Sequence, residues 1–250
     1  MRTETFSTPG PVELTIGVPA GDVDIQTGDG DETAVELEVR GRDAEELERD
    51  ARIELRPRGE GFEVVVEADG NRGLFRSRDG EYRVRIRAPE KASVRAELAS
   101  ADISGRGLYT AVDVDVASGD VQFEVIAGEA KVDSVSGDVQ LGQVGSAKVN
   151  TASGDVQIDR AEGRVDVNTA SGDVELRSAA EGQVKVNSAS GDVEVGIAKG
   201  SRLFVDAQSL SGGTSSDLEL ASGAPVDADE GPLVELRVAT MSGDVSVRRA

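Results

Sequence analysis

The sequence AKVNTASGDVQIDRAEGRVDVNTASGDVELRSAAEGQVKVNSASGDVEVGI (residues 147–197) contains the tetrapeptide S-G-D-V three times, in almost the same surroundings. Three more copies lie outside this stretch, and the glycines of all six copies are Gly119, Gly137, Gly154, Gly172, Gly191 and Gly243. The first five of these glycines follow one another at intervals of 17 to 19 residues. Repetition at this period is typical of stacked supersecondary units, and it predicts a repeat protein with one continuous core.

Each unit contains two short segments in which apolar and polar residues alternate. Upstream of Gly172 the apolar positions are Val165 and Val167, and downstream they are Val174 and Leu176. Alternation with a period of two, in segments rich in β-branched residues, predicts a strand on each side of the glycine. A second turn between units is marked by another column of glycines, which are Gly128, Gly145, Gly163, Gly182 and Gly200.

Two all-β arrangements fit this pattern. One is an elongated parallel β-solenoid in which each repeat forms one coil, and the other is an antiparallel meander in which each repeat forms a hairpin. In a solenoid, equivalent side chains stack at roughly 4.8 Å and amides can hydrogen-bond along the stack, whereas a meander places them about twice as far apart. The solenoid is favoured because the position four residues before the glycine is occupied by Asp115, Asp133, Asn150, Asn168 and Asn187.

The regular array follows a less regular N-terminal region. We predict a β-rich capping region over residues 1–98, with an early repeat-like unit near residues 12–25, and the repeat solenoid with its C-terminal cap over residues 99–250. We expect the two parts to form one continuous structural domain, because stacked repeats share a core with their neighbours. Further strands are predicted near residues 34–39, 53–55, 62–67 and 82–88.

One short helix is predicted within the capping region. Asp43 is followed three residues later by Glu46, which is the spacing of a capping box at a helix N-terminus. Ala44, Leu47 and Ala51 would lie on one face of this helix and pack against the sheet. The helix would then cover a sheet edge.

The composition excludes several classes of function. The chain has no Cys and no His, which excludes disulfides, thiol chemistry, imidazole bases and the usual zinc sites. Its net charge of −21 repels phosphate backbones, so nucleic acid is not an expected partner. Inward-facing Val and Ala leave a core too narrow for a cofactor or a buried ligand. We therefore predict no catalytic residues, no cofactor and no bound metal, and a function on the outer faces.

The location of the protein is predicted from its apolar segments. The sequence from Met1 to Phe6 lacks the apolar region of a secretory signal, and no stretch approaches the roughly 20 apolar residues that span a bilayer. We therefore expect a cytoplasmic protein without a membrane span, with the cell surface as the alternative.

An aspartate follows the glycine in every S-G-D-V copy. We predict a structural turn, in which the glycine has a positive φ and the carboxylate accepts backbone N–H bonds at the corner. Neighbouring carboxylates at roughly 4.8 Å repel by about 0.9 kcal/mol, which one hydrogen bond offsets. A row of weak calcium sites and a glycosidase carboxylate pair are the alternatives. The predicted turn residues are Gly119, Asp120, Gly137, Asp138, Gly154, Asp155, Gly172, Asp173, Gly191, Asp192, Gly243 and Asp244.

A single basic cluster stands out in this acidic chain. Its six arginines are Arg72, Arg76, Arg78, Arg83, Arg85 and Arg87. The last three alternate with apolar residues, so they should lie on the outer face of one strand. They would pair across strands with acidic neighbours such as Glu36, Glu38, Glu63 or Glu67. The alternative is a partner-binding site for an anion or an acidic protein, including a second copy of this chain.

The S-G-D-V units, the segment L-S-G-G-T-S-S-D-L (residues 210–218) and the closing S-G-D-V-S-V-R-R resemble a bacterial family of β-strand repeat proteins named "putative adhesin". The resemblance covers nearly the whole chain. It implies a β-helical repeat protein of unknown function with no assigned enzyme activity, and it carries over no catalytic residue. The family name implies binding at a surface.

These observations together predict a non-enzymatic scaffold or binding module with an unknown protein or polysaccharide partner. An exported or surface adhesin is the first alternative, and a polysaccharide-acting β-helix enzyme is the second. Self-association through the edges of the solenoid is a further expectation. The function is expected where the chain departs from the repeat, at residues 71–87 and 213–232.

Overall fold

The structure, a computed structural model, describes residues 1–68, 80–216 and 231–250. In these residues the chain forms one sheet of 18 strands and one short helix. The strands are β1 (Arg2–Ser7), β2 (Val12–Gly28), β3 (Glu32–Arg40), β4 (Arg52–Arg58), β5 (Gly61–Glu67), β6 (Glu81–Pro89), β7 (Ala92–Ser118), β8 (Val121–Ser136), β9 (Val139–Ser153), β10 (Val156–Ala161), β11 (Val165–Ser171), β12 (Val174–Ala179), β13 (Gly182–Ser190), β14 (Val193–Ile197), β15 (Arg202–Ser211), β16 (Thr214–Ser216), β17 (Leu233–Ser242) and β18 (Val245–Arg249).

The repeats stack in parallel, one above the next. Each repeat contributes a first strand, a corner and a second strand, and we call this unit a rung. First strands pair with first strands, since β11 lies between β9 and β13 with Ser171 opposite both Ser153 and Ser190. Second strands pair in the same way, since β10 lies between β9 and β12. The parallel solenoid predicted from the sequence is therefore confirmed, and the antiparallel meander is wrong.

The N-terminal region continues the same stack. β2 forms a complete rung that pairs in parallel with β7, with Leu14 opposite Val94 and Val23 opposite Ile103. On its other side β2 pairs in parallel with β5 and β6, which form a further rung. β7 runs without interruption across residue 98, and the division of the chain at that residue stays a prediction.

Antiparallel strands complete the N-terminal end of the stack. β4 pairs with β5, β3 pairs with β6, and β1 pairs with β3, all in antiparallel orientation. The strands predicted near residues 34–39, 53–55, 62–67 and 82–88 correspond to β3, β4, β5 and β6. These connections interrupt the period of the repeat because the chain reverses direction between the rungs.

The predicted helix is present as α1 (Ala44–Asp50). Leu47 and Ala51 belong to the buried core, and Ala44 packs against it. The backbone carbonyl of Asp43 accepts hydrogen bonds from the amides of Glu46 and Leu47. The side chain of Asp43 makes no capping hydrogen bond, so the capping-box detail of the prediction is wrong.

The rungs do not follow chain order at the two ends of the stack. The inserted rung, β17 with β18, lies between the rung β13/β14 and the terminal rung, β15 with β16, although the terminal rung comes earlier in the chain. Val238 is thus opposite Val186 on one side and Ala207 on the other. At the N-terminal end, the rung β5/β6 lies outside β2, and the chain then returns to form β7 on the inner side.

The core consists mainly of Val, Ala, Ile and Leu side chains. The largest buried side chains are aromatic, and two of them, Tyr109 and Phe123, form an edge-to-face pair with ring centroids 5.2 Å apart. A Cβ atom on Gly105 would lie 2.2 Å from the ring of Phe123, so this glycine provides the space for the pair. The Tyr109 hydroxyl donates a hydrogen bond to the carbonyl of Ile25 at 3.0 Å.

Candidate functional site

The predicted turn residues lie at the corners of the rungs. The six S-G-D-V glycines have φ values between +124° and +143°. Residues other than glycine rarely adopt such values. A Cβ atom on Gly154 would also lie 2.1 Å from the carbonyl oxygen of Gly137 in the neighbouring rung. Both the backbone conformation and the close stacking of the corners therefore require glycine.

The corner aspartates form a continuous ladder of hydrogen bonds. Oδ1 of each one accepts the backbone N–H of the equivalent residue in the next rung, at distances of 2.7 to 2.9 Å. The ladder follows the spatial order of the rungs, and it runs through Asp102, Asp120, Asp138, Asp155, Asp173, Asp192 and Asp244 to the amide of Gly213. Within the described ranges, no three carboxylates lie close enough together to hold a metal ion.

The described part of the basic cluster lies on the outer face of β6. Arg83 is opposite Glu38 on β3 and Asp22 on β2, and its Nη2 lies 3.3 Å from Asp22 Oδ2. Arg85 likewise has a carboxylate opposite it on each side, Glu36 and Asp24. Arg72, Arg76, Arg78 and most of the predicted loop at 213–232 lie outside the described residues.

Two of the acidic partners proposed for this cluster are engaged elsewhere. Glu63 pairs with Arg58 at 3.2 Å and Glu67 pairs with Arg52 at 3.0 Å, across the β4–β5 pair. β4 therefore supplies arginines to these two carboxylates through its antiparallel pairing with β5, and their pairing with the basic cluster stays a prediction.

A groove of about 1570 Å³ crosses the outer face of the first strands, close to the corners. It extends from β5 and β2 through β7, β8, β9 and β11 to β13, and β7 contributes two stretches, residues 95–99 and 115–117, so the groove spans eight successive first strands. At a strand spacing of roughly 4.8 Å, the groove is about 34 Å long. In its regular half each rung contributes the three residues before S-G-D, such as Asn168, Thr169 and Ala170 of β11.

The asparagines of the groove form a second ladder. Nδ2 of Asn150 donates to Oδ1 of Asp133 at 2.7 Å, Asn168 donates to Asn150 at 3.0 Å, and Asn187 donates to Asn168 at 2.7 Å. The amide ladder predicted from the sequence is therefore present. An amide has two N–H groups and a carbonyl with two lone pairs, so these side chains keep hydrogen-bonding capacity beyond the ladder.

The floor of the groove combines small apolar side chains with buried hydroxyls. Alanines such as Ala152 and Ala170 are exposed there, and Val135 is 60% exposed. The hydroxyl of Thr169 donates to the carbonyl of Ser171 at 3.2 Å, and the equivalent threonines make the same bond. The floor therefore presents methyl groups to a ligand, while the walls present amides.

The other half of the groove is charged. Glu67, Arg95, Glu97, Asp115 and Asp133 line it. Lys131, on the same strand as Asp133, places Nζ 2.9 Å from the Asp133 carboxylate and 3.0 Å from that of Asp113. Although burial of Asp133 opposes ionisation, hydrogen bonds from Asn150 and Lys131 lower the pKa of its carboxyl group overall. The carboxylate at this end of the asparagine ladder is therefore held in its charged form.

We expect the Asp133 carboxylate to make part of the stability of the fold dependent on pH. Because its pKa is lower in the folded protein than its ordinary value of 3.8, its stabilisation is present above about pH 4 and disappears as the pH falls through the folded pKa. In Asp133→Asn, the fall in melting temperature between pH 5 and pH 3 should be smaller than in the unchanged protein. Thermal unfolding across this pH range measures the difference, with the exposed Glu181→Gln as the control. Identical profiles for Asp133→Asn and the unchanged protein would contradict the expectation.

The groove is the feature that the sequence prediction missed. The sequence predicts the asparagine column as a ladder, whereas the structure places it together with exposed alanines on one concave surface. The sequence signal for this surface is the repetition of outward-facing residues, since N-T-A-S-G-D occurs identically at residues 150–155 and 168–173. Packing alone requires repetition only of inward-facing positions.

Comparison with protein families gives a match over almost the whole chain, because the family described as Toastrack DUF4097 matches residues 12–248. The chain belongs to the Toastrack DUF4097 family. The Toastrack match begins at β2 and ends within β18, so it includes every rung that lines the groove. A search of curated proteins found no match.

Solved structures are similar to this Toastrack chain at low sequence identity. A "putative adhesin" from Bacteroides fragilis has a TM-score of 0.54 and 11% identity, over 98% of this chain and 96% of that one. A "putative lipid binding protein" from Parabacteroides distasonis has a TM-score of 0.37 and 13% identity, over 100% and 96% of the two chains. A "putative adhesin" from the same organism has a TM-score of 0.33 and 12% identity, over 98% and 96%. The first comparison shows a shared fold, and with the family match it confirms the resemblance predicted from the sequence.

Among the described residues, no helix has the length and apolar character needed to cross a bilayer.

Proposed function

We propose that this Toastrack protein is a non-enzymatic binding module whose groove holds an extended glycan chain, either neutral or substituted with amino groups. The observation that carries the proposal is the repetition of the same polar and apolar groups along one continuous groove, rung after rung. A ligand that matches such a surface must itself repeat. A polysaccharide has this property because it presents hydroxyl groups and apolar ring faces at regular intervals.

The chemistry of the groove supports a ligand that is rich in hydroxyl groups. Amides donate and accept hydrogen bonds, so Asn150, Asn168 and Asn187 can each bond to a hydroxyl group of either orientation. The exposed methyl groups of Ala152 and Ala170 provide a flat apolar surface against which a sugar ring can pack. A groove about 34 Å long accommodates several sugar units at once.

Other polymers fit this groove less well. A peptide that binds as an added strand needs a free sheet edge, whereas the strands under the groove are already paired on both sides. An acyl chain would remove the amides and carboxylates of the walls from water without replacing their hydrogen bonds. A polyanion would be repelled by Glu97, Asp115 and Asp133.

The state of one groove carboxylate, Asp133, supports a binding role. A glycosidase requires one carboxyl group that is protonated near neutral pH, because that group protonates the leaving oxygen. Asp133 is instead bound to Lys131 and Asn150, which lower its pKa. This carboxylate is thus suited to orienting the ladder or an amino group of a ligand.

A surface adhesin is the alternative that we retain for this binding role. The similar Bacteroides fragilis structure is that of a "putative adhesin". A groove that holds a glycan would serve such a role equally, since attachment to a surface often means binding to its polysaccharides. The two alternatives therefore share the groove and differ in where the ligand is presented.

The test fills the groove with a large side chain. Ala170→Trp places an indole in the floor, and Ala127→Trp is the matched control because Ala127 is an exposed alanine outside the groove. Isothermal titration uses soluble oligosaccharides of six or more units, one β-glucan series and one amino-sugar series. We expect Ala170→Trp to weaken binding at least tenfold, with Ala127→Trp within twofold of the unchanged protein.

Three results would contradict the proposal or part of it. Absence of binding by both series, or equal loss in both variants, would exclude the groove as a glycan site. Release of new reducing ends during incubation would show an enzyme. Thermal unfolding of both variants controls for folding, and little change is expected because both alanines are exposed.

A further inference from the structure

A second concave surface lies on the second strands near the N-terminal end, away from the groove. It is a pocket of about 180 Å³, lined by Arg85 and Arg87 of β6, Asp24 and Gln26 of β2, and Arg106 of β7. The register places these residues in rows across the sheet. Gln26 is opposite Arg87 on one side and Arg106 on the other.

The row that contains Gln26 differs in charge from its neighbours. In the rows of Arg83 and Arg85, each arginine lies between two carboxylate-bearing residues. In the row of Gln26, Arg87 is opposite Ala34 on its other side. The described residues contain no ion-pair partner for Arg87 or Arg106. Two unneutralised guanidinium groups therefore stand on either side of an amide, in a chain of net charge −21.

Two acidic groups close to this row, Asp24 and Glu124, accept hydrogen bonds from other groups. Asp24 accepts a hydrogen bond from the hydroxyl of Ser104 at 2.8 Å. Glu124, on the strand beyond Arg106, accepts the backbone amide of Gly107 at 2.8 Å. Each of these carboxylates therefore accepts a hydrogen bond from a group other than an arginine.

We propose that Arg87, Gln26 and Arg106 bind an oxyanion, a phosphate or sulfate group carried by a small ligand. Two strand spacings separate the two arginine backbones by about 9.6 Å, and both side chains are long enough to converge on one tetrahedral group between them. Guanidinium groups match such oxygens in a bidentate way, and the Gln26 amide adds a donor at the centre. Arg85 supplies further positive charge at the edge of the pocket.

The experiment compares inorganic phosphate and sulfate with chloride as titrants, at low ionic strength. The double variant Arg87→Gln/Arg106→Gln removes the two unneutralised charges, and Arg83→Gln is the matched control on the same strand and face, because Arg83 is paired with Asp22. We expect saturable binding of phosphate or sulfate by the unchanged protein, at least tenfold weaker binding by the double variant, and less than a twofold change in Arg83→Gln. The charge-conserving Arg87→Lys/Arg106→Lys variant should be intermediate, because lysine lacks the planar fork.

The source of the oxyanion is distinguished with vesicles. Sedimentation with phosphatidylcholine vesicles that contain phosphatidic acid, in the unchanged protein and not in the double variant, would assign the group to a lipid headgroup. Binding of free phosphate or sulfate without sedimentation would assign it to a soluble ligand. Absence of saturable binding to both, or equal loss in Arg83→Gln and the double variant, would overturn the proposal. Failure of the glycan groove would not affect this outcome, since the two surfaces share no residue.

Discussion

Gly154→Ala is expected to destabilise the protein by about 2 to 6 kcal/mol, a large part of the total stability of a domain. Forcing alanine into a φ of +124° costs about 1 to 3 kcal/mol. The added Cβ would lie 2.1 Å from the carbonyl oxygen of Gly137, and relieving this contact costs about 1 to 3 kcal/mol more, because the rungs would have to separate. Equilibrium unfolding in urea measures the change.

Two other glycines separate these contributions. Gly200 has a φ of +88° and no atom within 4 Å of its ideal Cβ, so Gly200→Ala introduces strain without a clash. Gly28 has an open Cβ position and no unusual φ, so Gly28→Ala should change the stability by less than about 0.5 kcal/mol. The expected order of destabilisation is Gly154, then Gly200, then Gly28. Equal effects at Gly154 and Gly200 would mean that the corners do not stack as closely as the structure indicates.

Leu236→Ala is expected to cost about 2 to 5 kcal/mol, as is typical for a leucine enclosed in a core. Leu236 lies in β17 of the inserted rung and is 0% exposed, with Val184 opposite on one side and Val205 on the other. The matched control is Leu203→Ala in the terminal rung, where the leucine is half-buried and a cost of about 1 kcal/mol is expected. Urea unfolding of both variants gives the comparison.

The relative size of these two effects tests the order of the rungs. If the last strands of the chain stacked in chain order, β15 would lie inside the array and β17 at its end. Leu203 would then be the enclosed residue, and its replacement would cost more than that of Leu236. The reverse order of effects would therefore contradict the inserted rung.

Much of the fold could be predicted because each rung repeats the same physical requirements. The alternation around Gly172 sets the strands, its glycine sets the corner, and the amide column that includes Asn168 favours parallel stacking at a short distance. These are local or nearest-neighbour properties. One copy of the motif defines its strands and its corner, and comparison of the copies defines the period and the stacking.

The order of the rungs could not be predicted for the same reason. The motif Ser242-Gly243-Asp244-Val245 carries the same residues as the internal copies, so its corner fits equally well between any two rungs. Asp244 indeed donates its amide to Asp192 and accepts that of Gly213, as an internal rung would. Because the motif is the same in every rung, it does not indicate which rungs lie next to each other.

The repeated outward-facing residues are visible in the sequence, but the concavity of the groove was not predictable because it depends on the shape of the outer surface. The sequence identifies which residues face outwards, such as Asn168 and Ala170, but whether their faces form a ridge or a hollow depends on how the strand bends towards its corner. The position of Arg87 and Arg106 on either side of β2 was not predictable either. The two residues are 19 positions apart in the sequence, and the strand order that brings them together was not predicted. Sequence patterns therefore identify which residues lie on the outer face, whereas the register between distant strands determines which of these residues lie together in a site.

The inserted rung also imposes an order on biosynthesis. Residues 202–216 leave the ribosome before residues 233–249. Within the described part of the chain, however, they pair only with strands that the later segment forms. Until then the edge of β13 and β14 stays open, and the nascent terminal rung has no native neighbour. Residues 233–249 therefore complete this part of the array, since they enter between two segments that precede them in the chain.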